Sequence, residues 1–424
     1  MTNPKALLAT ALVLLLAACG GGTPPPPSSL TLTVVDAQNV GYTAAYQLGS
    51  GSWTALTPNP GGTYTVSLSG NTLYGVAVRC NPLVPGVPTE VHVIQAAASE
   101  LANPKVTCSG TNPSTVSYTL TVDASGVPGL AVGDAVVVSG RAFSAGGTVA
   151  SLSNPVAVTL NAPAGPQDLL VTVSASGNPT NFKAAKVVRG VNISAGGSSS
   201  VTLTASDALS PQALTVSLPT GFSPTFGMAQ VVYLSADNQG LGTVGSASGL
   251  AATNFSFRPV SGFGPGDRYT AFAVAGAGGH VLEAYKGSGG GSIALTLPNP
   301  WSTGSLGLSA TAHPTVSGLS YGGANRRAYR LELEDSTLVY HVTLGTGWLG
   351  TATGYSFPNL SSTLGYTPFA SGSTVHASVS ALLSASPLLQ LDATDPSAFT
   401  TNTDIGLAIA TGSYTVGGAS VSLP

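Results

Sequence analysis

The chain is predicted to be all-β, folding as about four tandem antiparallel β-sandwich domains. Three observations carry this reading. Apolar residues alternate with threonine and serine in short runs, the period of a strand with one face buried. Glycine and proline turns interrupt these runs every 8 to 12 residues or so, the spacing of sandwich strands. A strand signature also returns four times, starting at Leu30, Tyr118, Ala213 and Ser305, roughly 90 residues apart. That period is too long for a solenoid repeat and marks duplicated domains.

Taken from the amino terminus, the first element is an apolar run, Ala6 to Leu16, preceded by Lys5. It is shorter than the roughly 20 residues that span a bilayer as a helix, so it reads as a cleaved export signal. Leu16, Ala17, Ala18 and Cys19 then form a lipobox, in which the Cys19 thiol takes a diacylglycerol and becomes the first mature residue. An unlipidated signal cut after Ala17 and Ala18 is the alternative. Residues 1–18 are thus assigned as lipoprotein signal peptide. Residues 19–29 are assigned as lipidated cysteine and tether, with glycines at 20–22 for freedom and prolines at 24–27 for extension.

Four units follow: 30–112, 113–209, 210–302 and an enlarged 303–424. Each opens on the signature (LTLTVV from Leu30, YTLTV from Tyr118, ALTVSL from Ala213, SLGLS from Ser305). Each closes on another alternating run, from Lys105, Ser200, Ser292 and Ala419. Within each unit a second strand leads into a hairpin, as Ala135 to Arg141 leads to the run from Gly146, and Ala229 to Leu234 to the run from Gly240. Helix is nearly absent; 93–102 and 375–383 could be helix or strand.

Cys80 and Cys108 remain once Cys19 is lipidated. An even pair in an exported chain favours a disulfide, which would stabilise by roughly 3 kcal/mol on the chain-entropy model. No Cys-x-x-Cys spacing or Cys/His cluster is present, so neither a metal nor a cofactor is expected. Charged residues make up only 7% of the chain and net charge is -3, which points away from nucleic acid as a partner. Disorder is disfavoured because 43% of the residues are hydrophobic.

The lipobox, the Gly/Pro tether and the repeated sandwich units resemble the uncharacterised lipoproteins of bacterial cell envelopes that carry tandem immunoglobulin-like or transthyretin-like domains. The first unit, with the runs from Gly61, Tyr74 and Lys105, looks like a domain common in that group. The resemblance implies an extracytoplasmic location and membrane attachment through the N-terminal lipid, with an envelope polymer or a surface protein as further candidate partner. It implies no defined activity.

Chemistry-bearing motifs are sparse, and no catalytic residue is assigned. Gly318-Leu319-Ser320-Tyr321-Gly322 matches the nucleophile elbow of α/β-hydrolases, with His313 or His341 as a conceivable base, but its flanks read as loop and strand. Asp392, Asp395 and Asp404 could offer oxygens to calcium but match no known loop; solvated turn residues are the plainer reading, as for Asp36, Asp123, Asp237 and Asp267. Trp348, Tyr355, Phe357 and Tyr366 could stack sugar rings or fill a core, and Trp301 reads as an interdomain staple.

One segment breaks the neutral pattern: Arg326, Arg327, Arg330, Glu332, Glu334 and Asp335 fall within ten positions. With Asp335-Ser336 as a two-residue turn, Arg330, Glu332, Glu334 and His341 share a polar face, and Arg330 stands opposite His341. That face is either a solvated surface that discourages edge pairing or a recognition patch on the domain farthest from the lipid. The leading functional expectation is a non-catalytic, lipid-anchored envelope protein with a structural or adhesive role. The alternatives are a glycan- or solute-binding lipoprotein using the C-terminal unit, then a hydrolase; a transmembrane barrel is disfavoured by the lipobox and by the C-terminal proline.

Overall fold

The computed structural model describes residues 27–249, 254–323, 325–387, 389–390 and 398–424. Cys19 and the export segment lie outside them, as do Asp392 and Asp395. Strands dominate the described residues, with single helical turns at Thr346–Leu349 and Ser361–Leu364. Of the two ambiguous segments, 375–383 lies within a strand, and 93–102 is strand as far as Ala97 and then turn. The all-β, multi-sandwich class expected from the alternation is the class found.

Each unit pairs a small sheet with a four-stranded one. In unit one, β1 (Ser29–Asp36), β4 (Thr63–Ser67) and β7 (Lys105–Ser109) form the small sheet. The larger contains β2 (Tyr42–Leu48), β3 (Thr54–Ala55), β5 (Leu73–Cys80) and β6 (Thr89–Ala97), in the order β3-β2-β5-β6. Unit two repeats this with β8 (Thr115–Asp123), β11 (Val156–Pro163) and β14 (Gly197–Thr202). They lie against β9 (Ala135–Gly140), β10 (Phe143–Thr148), β12 (Gly165–Ala175) and β13 (Asn178–Ile193).

Unit three sets β15 (Gln212–Ser217), β18 (Asn254–Phe257) and β21 (Ile293–Thr296) against a second sheet. That sheet holds β16 (Phe226–Leu234), β17 (Leu241–Ser248), β19 (Arg268–Ala277) and β20 (His280–Ser288). Unit four sets β22 (Leu306–Leu308), β23 (Thr315–Ser317), β26 (Gly354–Ser356) and β29 (Val421–Leu423) against β24 (Arg326–Glu334), β25 (Leu338–Gly345), β27 (Thr374–Ser384) and β28 (Asp404–Thr415). In every unit the repeated opening strand pairs with the closing strand, parallel in the first three and antiparallel in the fourth.

The units are not strung out in sequence order. The large sheets of units three, four and one fuse into one 12-stranded sheet, open at β17 and β3. Like edges meet antiparallel where β20 joins β28, and β25 joins β6 in parallel. Unit four therefore sits between units three and one, so the order of the units in space differs from their order along the chain. The reason is physical: an edge strand presents unpaired N–H and C=O groups that any extended partner can satisfy.

Side-chain packing follows the alternation. One core is shared by the small sheets of units three and four and extends under unit one; it includes Tyr233, Phe257, Tyr329 and Tyr340. Unit one's own core, around Leu32, Val76 and Ile94, lies on the other face of the fused sheet and takes in Ala328, Leu382 and Leu407 of unit four. Unit two keeps a separate core and abuts β17 of unit three, where Leu170, Ala185 and Val187 join the shared core.

Candidate functional site at the seam of units one and four

The polar face expected on β24 exists. Period-two geometry buries Tyr329, Leu331 and Leu333 and turns Arg330, Glu332 and Glu334 the other way. The expected register is corrected. Glu332 pairs with His341, and Arg330 with Thr343. The turn is longer than two residues because Oδ1 of Asp335 accepts hydrogen bonds from the N–H groups of Thr337 at 2.8 Å and Leu338 at 3.0 Å. Because the slip is by an even number of positions, every side chain keeps its face. Glu332 Oε2 lies 3.0 Å from His341 Nδ1.

Two residues missed at the sequence level complete the cluster. Parallel pairing of β25 with β6 sets His341 beside His92 and Val339 beside Glu90. The imidazoles stack with centroids 4.8 Å apart and planes inclined by 16°. Glu90, two positions along the same face of β6, holds His92 Nε2 at 3.0 Å from its Oε2. No local spacing could have revealed this group, since β6 and β25 belong to the first and fourth units.

The electrostatics favour ionised carboxylates beside a neutral His92 ring. The hydrogen bond from His92 holds Glu90 below the usual carboxylate range, and that from His341 does the same for Glu332. Burial pushes His92 below the ordinary histidine range; its bond to Glu90 pulls the other way without prevailing. An ionised carboxylate can only accept, so Nε2 of His92 carries the proton there.

His92, Glu332 and His341 line a groove of about 780 Å³. Its floor is the polar face of unit four, where Ser378 and Ser380 lie beside Arg330 and Glu332, and Lys105 to Thr107 on β7 of unit one form one wall. Gln390 fixes that wall, exchanging hydrogen bonds with the backbone of Lys105 at 3.1 and 3.0 Å. Of the four residues assigned to the recognition patch, Arg330, Glu332 and His341 lie in this groove, and Glu334 lies in an adjoining cavity with His376.

Other sequence leads resolve differently. Cys80 and Cys108 form a disulfide, with Cα atoms 5.2 Å apart, joining the two sheets of unit one. Ser320 sits in a loop, its hydroxyl facing the Gly318 carbonyl at 3.4 Å. His313 is engaged with Tyr366 at 3.1 Å and His341 with Glu332, so neither serves Ser320. Tyr355, Phe357 and Tyr366 are buried in the core, which removes them as a sugar platform; Trp348 is half-buried at the edge of that core. Trp301 is buried, donates from Nε1 to the Ala408 carbonyl at 2.9 Å, and clips the linker between units three and four onto β28. Asp404 lies exposed on β28.

No family model and no curated protein sequence matches this chain. Among solved structures, the Bacillus anthracis TIE protein is 10% identical with a TM-score of 0.16, over 98% of this chain and 76% of that one. A streptococcal ancillary pilin is 12% identical with a TM-score of 0.13, over 64% of this chain and 98% of the pilin. A 1.5-MDa bacterial ice-binding adhesin is 11% identical with a TM-score of 0.12, over 65% and 100% of the respective chains. Scores at this level do not define a common topology.

Proposed function

We propose that this chain is a non-catalytic, lipid-anchored protein of the bacterial cell envelope with a structural or adhesive role, acting as one stiff scaffold. The observation that supports it is backbone pairing across the unit boundaries, seven residue pairs at each of the β20–β28 and β25–β6 junctions. Domains joined by small polar contacts move relative to one another by default. Shared ladders oppose that motion and would let the chain bear load without an active site. A multiply acylated Cys19 would supply a stable tether.

Two measurements test this reading. Fatty-acid labelling should mark the wild-type protein in the membrane fraction, and Cys19→Ala should release an unlabelled chain. An intact leader or an unmodified terminus elsewhere would overturn the anchoring. Small-angle scattering of the released chain should fit one compact particle; a profile of independently moving beads would overturn the scaffold.

The groove favours a second reading, in which the protein holds a glycan or another polar solute against unit four. Its floor is rich in hydroxyl and charged groups, the equipment for hydrogen-bonding a polyol. Arg330→Ala and Glu332→Ala should each abolish polysaccharide pull-down while leaving the thermal transition in place. Retained binding would remove this reading.

A further inference from the structure

We propose that Glu90, His92 and His341 form a site for a single divalent transition-metal ion of the zinc class, at the seam between units one and four. The inference does not depend on the anchoring or on the groove ligand. One donor atom from each of the three residues lies within 4.8 Å of the others. Tetrahedral zinc, with bonds of about 2.0–2.1 Å to nitrogen and oxygen, spaces its ligands roughly 3.3 Å apart. Glu90 Oε2 and His92 Nε2 already stand at 3.0 Å, and the ion would take the place of the proton now shared between them, the ring then carrying its proton on Nδ1. The remaining donor already stands within 4.8 Å of the others and has to draw in by only an ångström or two on binding.

The scaffold suits such a site. Glu90 and His92 share one face of β6, His341 stands in register on β25, and each strand is paired on both sides. Glu332 lies 3.0 Å from Nδ1 of His341, where a carboxylate fixes the ring and raises its basicity as a ligand. Two carboxylates and two imidazoles converge here, with Arg330 farther along the floor, and a divalent ion would neutralise the carboxylates. An imidazole-rich set selects zinc, nickel or copper over calcium or magnesium. The side chains of Glu90, His92 and His341 are 44%, 23% and 35% exposed, so an ion can enter from the groove. Once bound, it would cross-link unit one to unit four through side chains, beside the β6–β25 ladder.

The test is calorimetric titration of chelator-treated, detergent-solubilised full-length protein with zinc chloride. We expect one equivalent bound with a micromolar or tighter Kd. His92→Ala and His341→Ala should each weaken binding at least tenfold, while His376→Ala should leave it unchanged. Should the first two variants misfold, wild-type protein provides the second measurement: zinc should protect His92 and His341, but not His376, from acylation by diethylpyrocarbonate. Absence of saturable one-to-one binding, wild-type affinity in both histidine variants, or equal acylation with and without zinc would each overturn the site.

Discussion

Arg189 of unit two reaches Asp267 of unit three with both guanidinium arms. Nη1 lies 3.1 Å from Oδ1 and Nη2 bonds Oδ2, while Nη1 also holds Asp168 at 2.6 Å. The Asp267 side chain is fully buried and takes further hydrogen bonds from Tyr233 and from the N–H groups of Ala236 and Gly264. This bidentate pair is the chief charged link between unit two and the fused sheet.

Arg189→Ala should therefore destabilise the protein by about 2 kcal/mol, because it leaves the Asp267 carboxylate buried without its partner. That is less than the roughly 3–5 kcal/mol of a wholly buried pair, since the Arg189 side chain is 39% exposed. Arg189→Lys should recover little, lacking the two-armed fork. Chemical denaturation followed by tryptophan fluorescence measures both; a loss below about 0.5 kcal/mol would refute the assignment.

The same carboxylate gives a pH dependence. Burial pushes Asp267 up, but Arg189, the Gly264 amide and the Tyr233 hydroxyl together hold it below the usual range. A depressed folded-state value stabilises above the unfolded pKa of about 3.9 and loses that contribution as pH falls through the folded value. The Asp267 share of the stability should hold steady from neutrality to about pH 4, then drop. In Asp267→Asn the drop should be shallower; an unchanged acid limb would count against this residue.

Reduction of the Cys80–Cys108 bridge, or Cys80→Ser with Cys108→Ser, should cost roughly 3 kcal/mol, the chain-entropy value for a sequence separation of 28. The change should appear in unit one, as faster amide exchange in β5 and β7. Equal midpoints with and without reductant would contradict it.

The Gly318–Gly322 loop separates a structural role from a chemical one. Gly318 has φ +83°, and an added Cβ would come within 1.8 Å of the Ser305 carbonyl oxygen. Gly318→Ala should cost about 2 kcal/mol or more through forced backbone movement. Ser320→Ala, at an exposed hydroxyl, should change stability by less than about 0.5 kcal/mol. Loss of any ester-hydrolysing activity in Ser320→Ala alone would reverse this view.

Much of the chain was legible from period-two alternation. Leu331, Leu333, Tyr340 and Val342 are buried as their spacing requires, and Arg330, Glu332 and His341 share the opposite face. The error lay in the turn: Asp335 binds its own downstream amides and lengthens the loop, which moved Glu332 into the place expected for Arg330. The aromatics of unit four carried two readings, because a ring suits a core and a platform equally well. Burial decided between them.

Strand character, burial pattern and the repeated opening and closing strands follow from the amino-acid order alone, because side chains of neighbouring residues encode them locally. Which edges of the four units join could be learned only from the folded molecule. The backbone groups along β6, β20, β25 and β28 are chemically the same as those along any strand, so nothing in the side-chain pattern says which will pair. Glu90 and His92 consequently meet His341 through a junction that the order of residues does not reveal.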